Sequence, residues 1–179
     1  MGDGFGSAGL LHQVAAELIA AFPRILSGRR LVQAWSYKYD EGHDRGIDPH
    51  SDAGAVSVNL WLTPDDANLD PDSGGLIIWP EEPPKDWTFD KANSDTLSVL
   101  EHLESGSFED QPTSMDQWRL HNNGAGGLHS KVFKKKVLRV PYRENRCIMF
   151  ESRLFHQTDK IKFKPGYRNR RINVTFLFL

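Results

Sequence analysis

A single cysteine, Cys147, stands in a chain of 179 residues, so no disulfide can close within it and a cysteine-rich zinc site is excluded. A reducing compartment suits such a chain. Charge of one sign is also lacking: 22 lysines and arginines against 24 aspartates and glutamates leave a net charge of -2. That balance gives no general attraction to nucleic acid or anionic lipid, and any partner must be recognised locally. No run approaches the roughly 20 apolar residues needed to cross a bilayer. The opening Met1-Gly-Asp-Gly has neither the basic segment nor the apolar core of a signal peptide. These absences predict a soluble, cytoplasmic, single-domain protein over residues 1–179, large enough to bury a core without staples.

What is there begins with a helix. Leu11, Val14, Leu18 and Phe22 recur at spacings of three and four until Pro23 closes the run. From Leu31 the period becomes two, and Trp35, Tyr37 and Tyr39 form one aromatic face of a strand, read as packed. Val56, Val58, Leu60 and Leu62 alternate with Ser57, Asn59, Trp61 and Thr63, and residues 76–79 form another apolar run. Residues 137–140, 146–150 and 171–179 are strand-like, with 161–163 a further short strand. Residues 80–136 are weakly patterned, carrying prolines, a glycine patch at 124–127 and a short helix around 97–103. Such a stretch reads as a long insertion on the rim of a rigid scaffold, where Trp87, Phe108, Trp118 and Leu120 offer apolar surface to a substrate. Short strands with a single leading helix predict a mostly β fold, with a double-stranded β-helix (jelly roll) the most economical form and a β-sandwich the competing one.

The chemistry starts at Ile47-Asp48-Pro49-His50-Ser51-Asp52. On an extended backbone His50 and Asp52 project from one face, roughly 6–7 Å apart along the chain. An imidazole and a carboxylate joined by a second histidine form the facial ligand set of non-haem iron, which leaves further positions open. Of the seven histidines, His12, His43, His102, His121 and His129 have no supporting local pattern, whereas His156 follows a strand by one tight connection. Ser73-Gly74-Gly75 lacks the lysine-serine end of a phosphate loop, and Lys134-Lys135-Lys136 has no aromatic stripe beside it that would mark a nucleic-acid surface.

From Trp35 onward the chain resembles the iron(II)- and 2-oxoglutarate-dependent oxygenase superfamily, near its prolyl hydroxylase-like and phytanoyl-CoA hydroxylase-like branches. The likeness rests on His50-x-Asp52, Gly74-Gly75-Leu76, the distal His156 and the strand Arg171-Ile-Asn-Val-Thr-Phe176, all in the family's order. It skips much of the insertion. Two features depart from the common pattern: His156 and Arg171 lie farther apart, and Asn145 stands where many relatives have a turn glycine.

The resemblance implies a jelly roll holding Fe(2+) through His50, Asp52 and His156. It also implies 2-oxoglutarate and O2 as co-substrates and hydroxylation as the outcome, because Asp52 fills the position a halogenating relative leaves free. Arg171, sharing a strand face with Asn173 and Thr175, is the expected anchor for the distal carboxylate of 2-oxoglutarate, with Arg168 as the alternative and Arg170 pointing the other way. Tyr39, in a Tyr-x-x-Gly element ending at Gly42, and Asn59 are further candidates for co-substrate contact, although Asn59 serves equally well as a hydrogen-bond partner within the sheet. The primary substrate, a small molecule or a protein side chain, stays open at this point. So do two other readings, a catalytically silent metal-binding jelly roll and a cupin-like metal enzyme.

Overall fold

The structure, a computed structural model, describes residues 9–39, 46–105, 108–110 and 135–179, with the backbone alone for 108–110 and for Lys135. Helix α1 (Leu10–Ala21) buries Ala15 and Leu18, ends at Phe22, and passes through Pro23 into the one-turn α2 (Pro23–Leu26). Proline suits that second start because the first N–H of a helix has no partner to lose. Among the described residues no helix is long and apolar enough to cross a membrane.

Among the described residues eight strands form two four-stranded sheets. The first contains β1 (Leu31–Lys38), β8 (Ile172–Phe178), β2 (Val56–Trp61) and β6 (Cys147–Glu151), in that order and antiparallel throughout. The second runs β4 (Phe108–Asp110), β5 (Lys135–Val140), β3 (Leu76–Ile78) and β7 (His156–Thr158), with β4 parallel to β5 and the other pairs antiparallel. The short strand expected at residues 161–163 reduces to one bridge between Phe163 and Asn68, and the strand falls instead at β7.

The first sheet has two unlike faces. Val56, Val58, Val174, Phe176 and Phe178 pack under α1 and α2 against Ala15, Leu18 and Leu26. Full burial of side chains of this size stabilises by roughly 1.5–3 kcal/mol each, so this layer holds the helices to the sheet. The opposite face carries Ser57, Asn59, Trp61, Asn173 and Thr175, all buried. Pairing of Asn59 with Thr175 and of Trp61 with Asn173 aligns these residues across β2 and β8. A second apolar cluster of Trp61, Leu76, Ile78 and Tyr142 fills one end of this interior, with Tyr142 stacked on Trp61 at 5.1 Å between ring centroids.

The insertion is partly regular, which makes the fold mixed helix and sheet rather than β with one leading helix. Beyond the expected helix, found as α4 (Thr96–Ser105), it contains α3 (Phe89–Ser94), capped by Thr88, whose side chain accepts from Lys91 N. Ala92, Val99 and Leu103 of these helices pack on Phe155 with Trp79 and Trp87. Trp87 is half-buried, its ring 6.4 Å from that of Phe155, so packing takes up part of the apolar surface expected of it. The side chain of Phe108, the whole of Trp118 and Leu120, and the glycine patch at 124–127 lie outside the described residues.

Candidate metal centre

His50 and His156 are brought together by backbone pairing. Each donates its N–H to the other's carbonyl, at 3.0 and 2.9 Å, in an isolated antiparallel bridge, and two residues on Asp52 N donates to Ser152 O at 2.8 Å. A hydrogen-bonded pair of this kind fixes two side chains on one side of the ladder. One ligand atom from each of His50, Asp52 and His156 lies within 4.8 Å of the others. His50 Nε2 stands 3.8 Å from Asp52 Oδ1, and His156 Nε2 stands 3.6 Å from Asp52 Oδ2.

The ring nitrogens facing away are spoken for. His50 Nδ1 lies 2.8 Å from Asp48 O, and His156 Nδ1 lies 2.8 Å from Leu154 O. A carbonyl only accepts, so each Nδ1 carries a proton and Nε2 is the ring nitrogen left to face Asp52. Burial, reinforced by the neighbouring His156 imidazole, lowers the pKa of His50 to about 4, which keeps its ring neutral at physiological pH. Burial alone would raise the Asp52 carboxyl, but its interactions with His156 and the Ser57 hydroxyl outweigh this and hold it below the usual carboxylate range. With both Nε2 atoms deprotonated, two imidazole lone pairs and a carboxylate this close repel each other unless a cation sits between them. The donor set therefore fits a divalent metal, and two histidines with one carboxylate are the set associated with non-haem iron.

Ser57 and Ser152, neither singled out by the sequence pattern, support Asp52. Both are fully buried, and the Ser57 hydroxyl donates to Asp52 Oδ2 at 2.8 Å while its oxygen lies 3.0 Å from that of Ser152. Ser57 had a detectable signal, because it precedes Asn59 by two on the polar face of β2. Ser152 sits in the connection after β6 and had none.

Arg171 is the only arginine among the described residues that is fully buried, at 1% exposure. Its Nε donates to Gly74 O at 2.5 Å and one terminal nitrogen to Gly75 O at 3.4 Å, while Nη1 has no partner. No carboxylate pairs with it among the described residues, and its surroundings are aromatic, with Tyr39 at 4.9 Å and Trp61 and Tyr142 at 5.7 Å from ring centroid to guanidinium carbon. Burial pushes its pKa down, yet arginine retains its proton in proteins, so a cation is enclosed without a compensating anion. Arg168, by contrast, is exposed in a single turn at Tyr167–Asn169.

Of the remaining sequence candidates, Tyr39 is buried beside Arg171 and its hydroxyl lies 3.3 Å from Thr158 Oγ1. Asn59 is tied into the sheet, its Oδ1 accepting from Thr175 Oγ1 at 3.0 Å. Gly42 and His43 lie outside the described residues, as do His121 and His129. His102 pairs with Glu81 at 3.2 Å, away from the ligand cluster. A scan against protein-family models and a search of curated proteins returned no match for this chain.

Proposed function

We propose that this protein is an iron(II)- and 2-oxoglutarate-dependent oxygenase, most economically a hydroxylase, built on a double-stranded β-helix. The observation that carries the reading is the coexistence of a three-ligand cluster, His50, Asp52 and His156, with a buried guanidinium, Arg171, that has no anion partner among the described residues. A cupin-like enzyme or a simple metal-binding domain has a use for the first and none for the second.

The winding supports the jelly-roll form. The His50 bridge places its segment beside β7 at the edge of the second sheet, so the chain passes from β1 in the first sheet to His50 in the second and back to β2. It then crosses to β3 and β5, returns to β6, crosses to β7 and ends in β8 of the first sheet.

In this reading His50, Asp52 and His156 hold the metal on one face, with Ser57 fixing the carboxylate and the two backbone carbonyls fixing the rings. Iron(II), together with 2-oxoglutarate and oxygen, supplies the oxidation of an unactivated C–H bond, with succinate and carbon dioxide as the co-products. Arg171 binds the distal carboxylate of the co-substrate, and its fork gives two parallel charge-assisted bonds where an ammonium gives a point charge. The aromatic rings around it exclude water, which strengthens that contact.

The test is an anaerobic titration of the iron-loaded protein with 2-oxoglutarate, monitored by the metal-to-ligand charge-transfer absorbance, with succinate measured after admission of oxygen. Arg171→Ala weakens co-substrate binding about tenfold to hundredfold, from the roughly 1.5–3 kcal/mol of a charged hydrogen-bonded contact. Arg171→Lys restores part of the loss, and Arg168→Ala changes nothing. Normal binding by Arg171→Ala overturns the assignment of the anchor, and absence of succinate under every substrate tried favours a silent domain.

A further inference from the structure

Two adjoining hollows of about 460 and 390 Å3 open beside the ligand cluster and share Trp35, Tyr37 and Asp52. One wall is the face of β1 that carries Trp35 and Tyr37. The facing wall comes from the insertion, with Phe89 and Asn93 of α3 and Thr96 at the start of α4. Tyr37 is 42% exposed and Phe89 57% exposed, so these rings face the open hollow and not a core. Asn93 holds the insertion to the metal-ligand segment, its Oδ1 accepting from Ser51 N at 3.3 Å while its Nδ2 donates to Phe89 O at 2.7 Å. Its amide is therefore committed to structure.

The charge of the lining has one sign. Asp48 and Asp52 are its charged residues, and no lysine or arginine lines either hollow among the described residues. The Asp48 carboxylate is exposed and makes no hydrogen bond or ion pair among the described residues, since the bond to His50 is accepted by the main-chain carbonyl. If the proposed function holds, a divalent ion, Asp52, a dicarboxylate and Arg171 together carry no net charge, and among the described lining residues Asp48 sets the sign at the mouth. Aromatic faces beside a carboxylate favour a cation, through the ring quadrupole and direct attraction.

We infer that the substrate enters this hollow through a cationic group, an alkylammonium or guanidinium, held between the Trp35 and Tyr37 rings and the Asp48 carboxylate. The inference rests on the proposed function for the oxidation of the bound group, and binding itself is readable without turnover.

Zinc-loaded protein in saturating 2-oxoglutarate, which binds without oxidising, is titrated calorimetrically with three short peptides identical except for a central lysine, norleucine or glutamate, and separately with spermidine. The lysine peptide binds about tenfold more tightly than the norleucine peptide, and the glutamate peptide binds weakest. Asp48→Asn, which keeps the main-chain carbonyl that holds His50, abolishes the preference for lysine over norleucine, and Trp35→Leu weakens both peptides. Spermidine binding as tightly as the lysine peptide assigns the same recognition to a free polyamine, and its absence assigns it to a chain-borne side chain. Equal or tighter binding of the norleucine or glutamate peptide, or a lysine preference that survives Asp48→Asn, overturns the inference. Zinc affinity is measured on every variant. A protein that fails to bind 2-oxoglutarate yet keeps the lysine preference refutes the oxygenase reading and leaves the cation site standing.

Discussion

At Ser57 one hydroxyl decides how the Asp52 carboxylate is held. Groups that orient metal ligands commonly contribute about tenfold to hundredfold in affinity, so Ser57→Ala should weaken metal binding by that range, as read by competition with a chelator. The residue is buried and small, and circular dichroism of the variant should stay unchanged. Arg171 presents the opposite balance. Its enclosed charge has no anion partner among the described residues, and replacement of an uncompensated buried charge by an apolar side chain of similar size is often neutral or stabilising. Arg171→Met should leave the thermal midpoint of the co-substrate-free protein unchanged or raised, while the increase produced by metal plus 2-oxoglutarate is lost. A fall in the unliganded midpoint would show that Arg171 mainly serves the fold through Gly74 and Gly75. Much of this was legible in the chain. Arg171, Asn173 and Thr175 alternate with Ile172, Val174 and Phe176, and a central strand converts that alternation into a polar interior and an apolar exterior. The aromatic alternation in β1 gave the face correctly but not its surroundings, because β1 lies at the sheet edge and Tyr37 meets a hollow where a core was expected.

Elements meet most closely at Gly75. A Cβ there would lie 1.8 Å from Val140 O and 2.7 Å from a ring carbon of Trp61, and both neighbours are locked, one in β5 and the other under Tyr142. The Gly75 carbonyl also accepts from Asp159 N and Arg171, so a shift of this backbone is transmitted to the Arg171 guanidinium, the proposed co-substrate anchor. Gly75→Ala should destabilise the protein by at least the roughly 1–3 kcal/mol typical of overpacking, measured by denaturant unfolding, and should weaken 2-oxoglutarate binding as well. Asn145, between β5 and β6, has φ of 57°, and its N–H donates to Trp61 O at 2.8 Å. Left-handed backbone costs other side chains roughly 1–2 kcal/mol, so Asn145→Ala should lose about that much and Asn145→Gly should be tolerated. The departure from a turn glycine at this position is therefore conservative in conformation. The sequence pattern was weakest for α3, whose six residues are too few for a helical period to emerge. Yet α3 supplies Phe89 and Asn93 to the hollow, so part of the site's wall was invisible to periodicity.

On the scale of the molecule, the proposed metal ligands join segments that chain order keeps apart. His50 and Asp52 lie on the approach to β2 in the first sheet, and His156 begins β7 in the second. A metal that binds all three in the folded state and few of them in the unfolded state stabilises the whole fold by mass action, by about 2.7 kcal/mol at a free concentration a hundred times its dissociation constant. For a chain of this size each kcal/mol raises the thermal midpoint by roughly 2–4 °C, so saturating metal should raise it by about 5–11 °C. His156→Ala should abolish that increase. The acid limb of the metal-free protein carries a second signature. His50 has its pKa lowered from 6.5 to about 4 on folding, so between these values the unfolded chain binds more protons than the folded one, and stability rises with pH. The contribution is complete above about pH 6.5 and is lost as pH falls toward about 4. Metal excludes a proton from Nε2, so adding it should lengthen the plateau toward lower pH in unfolding midpoints measured between pH 4 and 8. Identical acid limbs for the metal-free wild type and His50→Gln would show that other groups set the pH dependence, whereas a flatter limb in the variant assigns it to the buried imidazole at the metal centre.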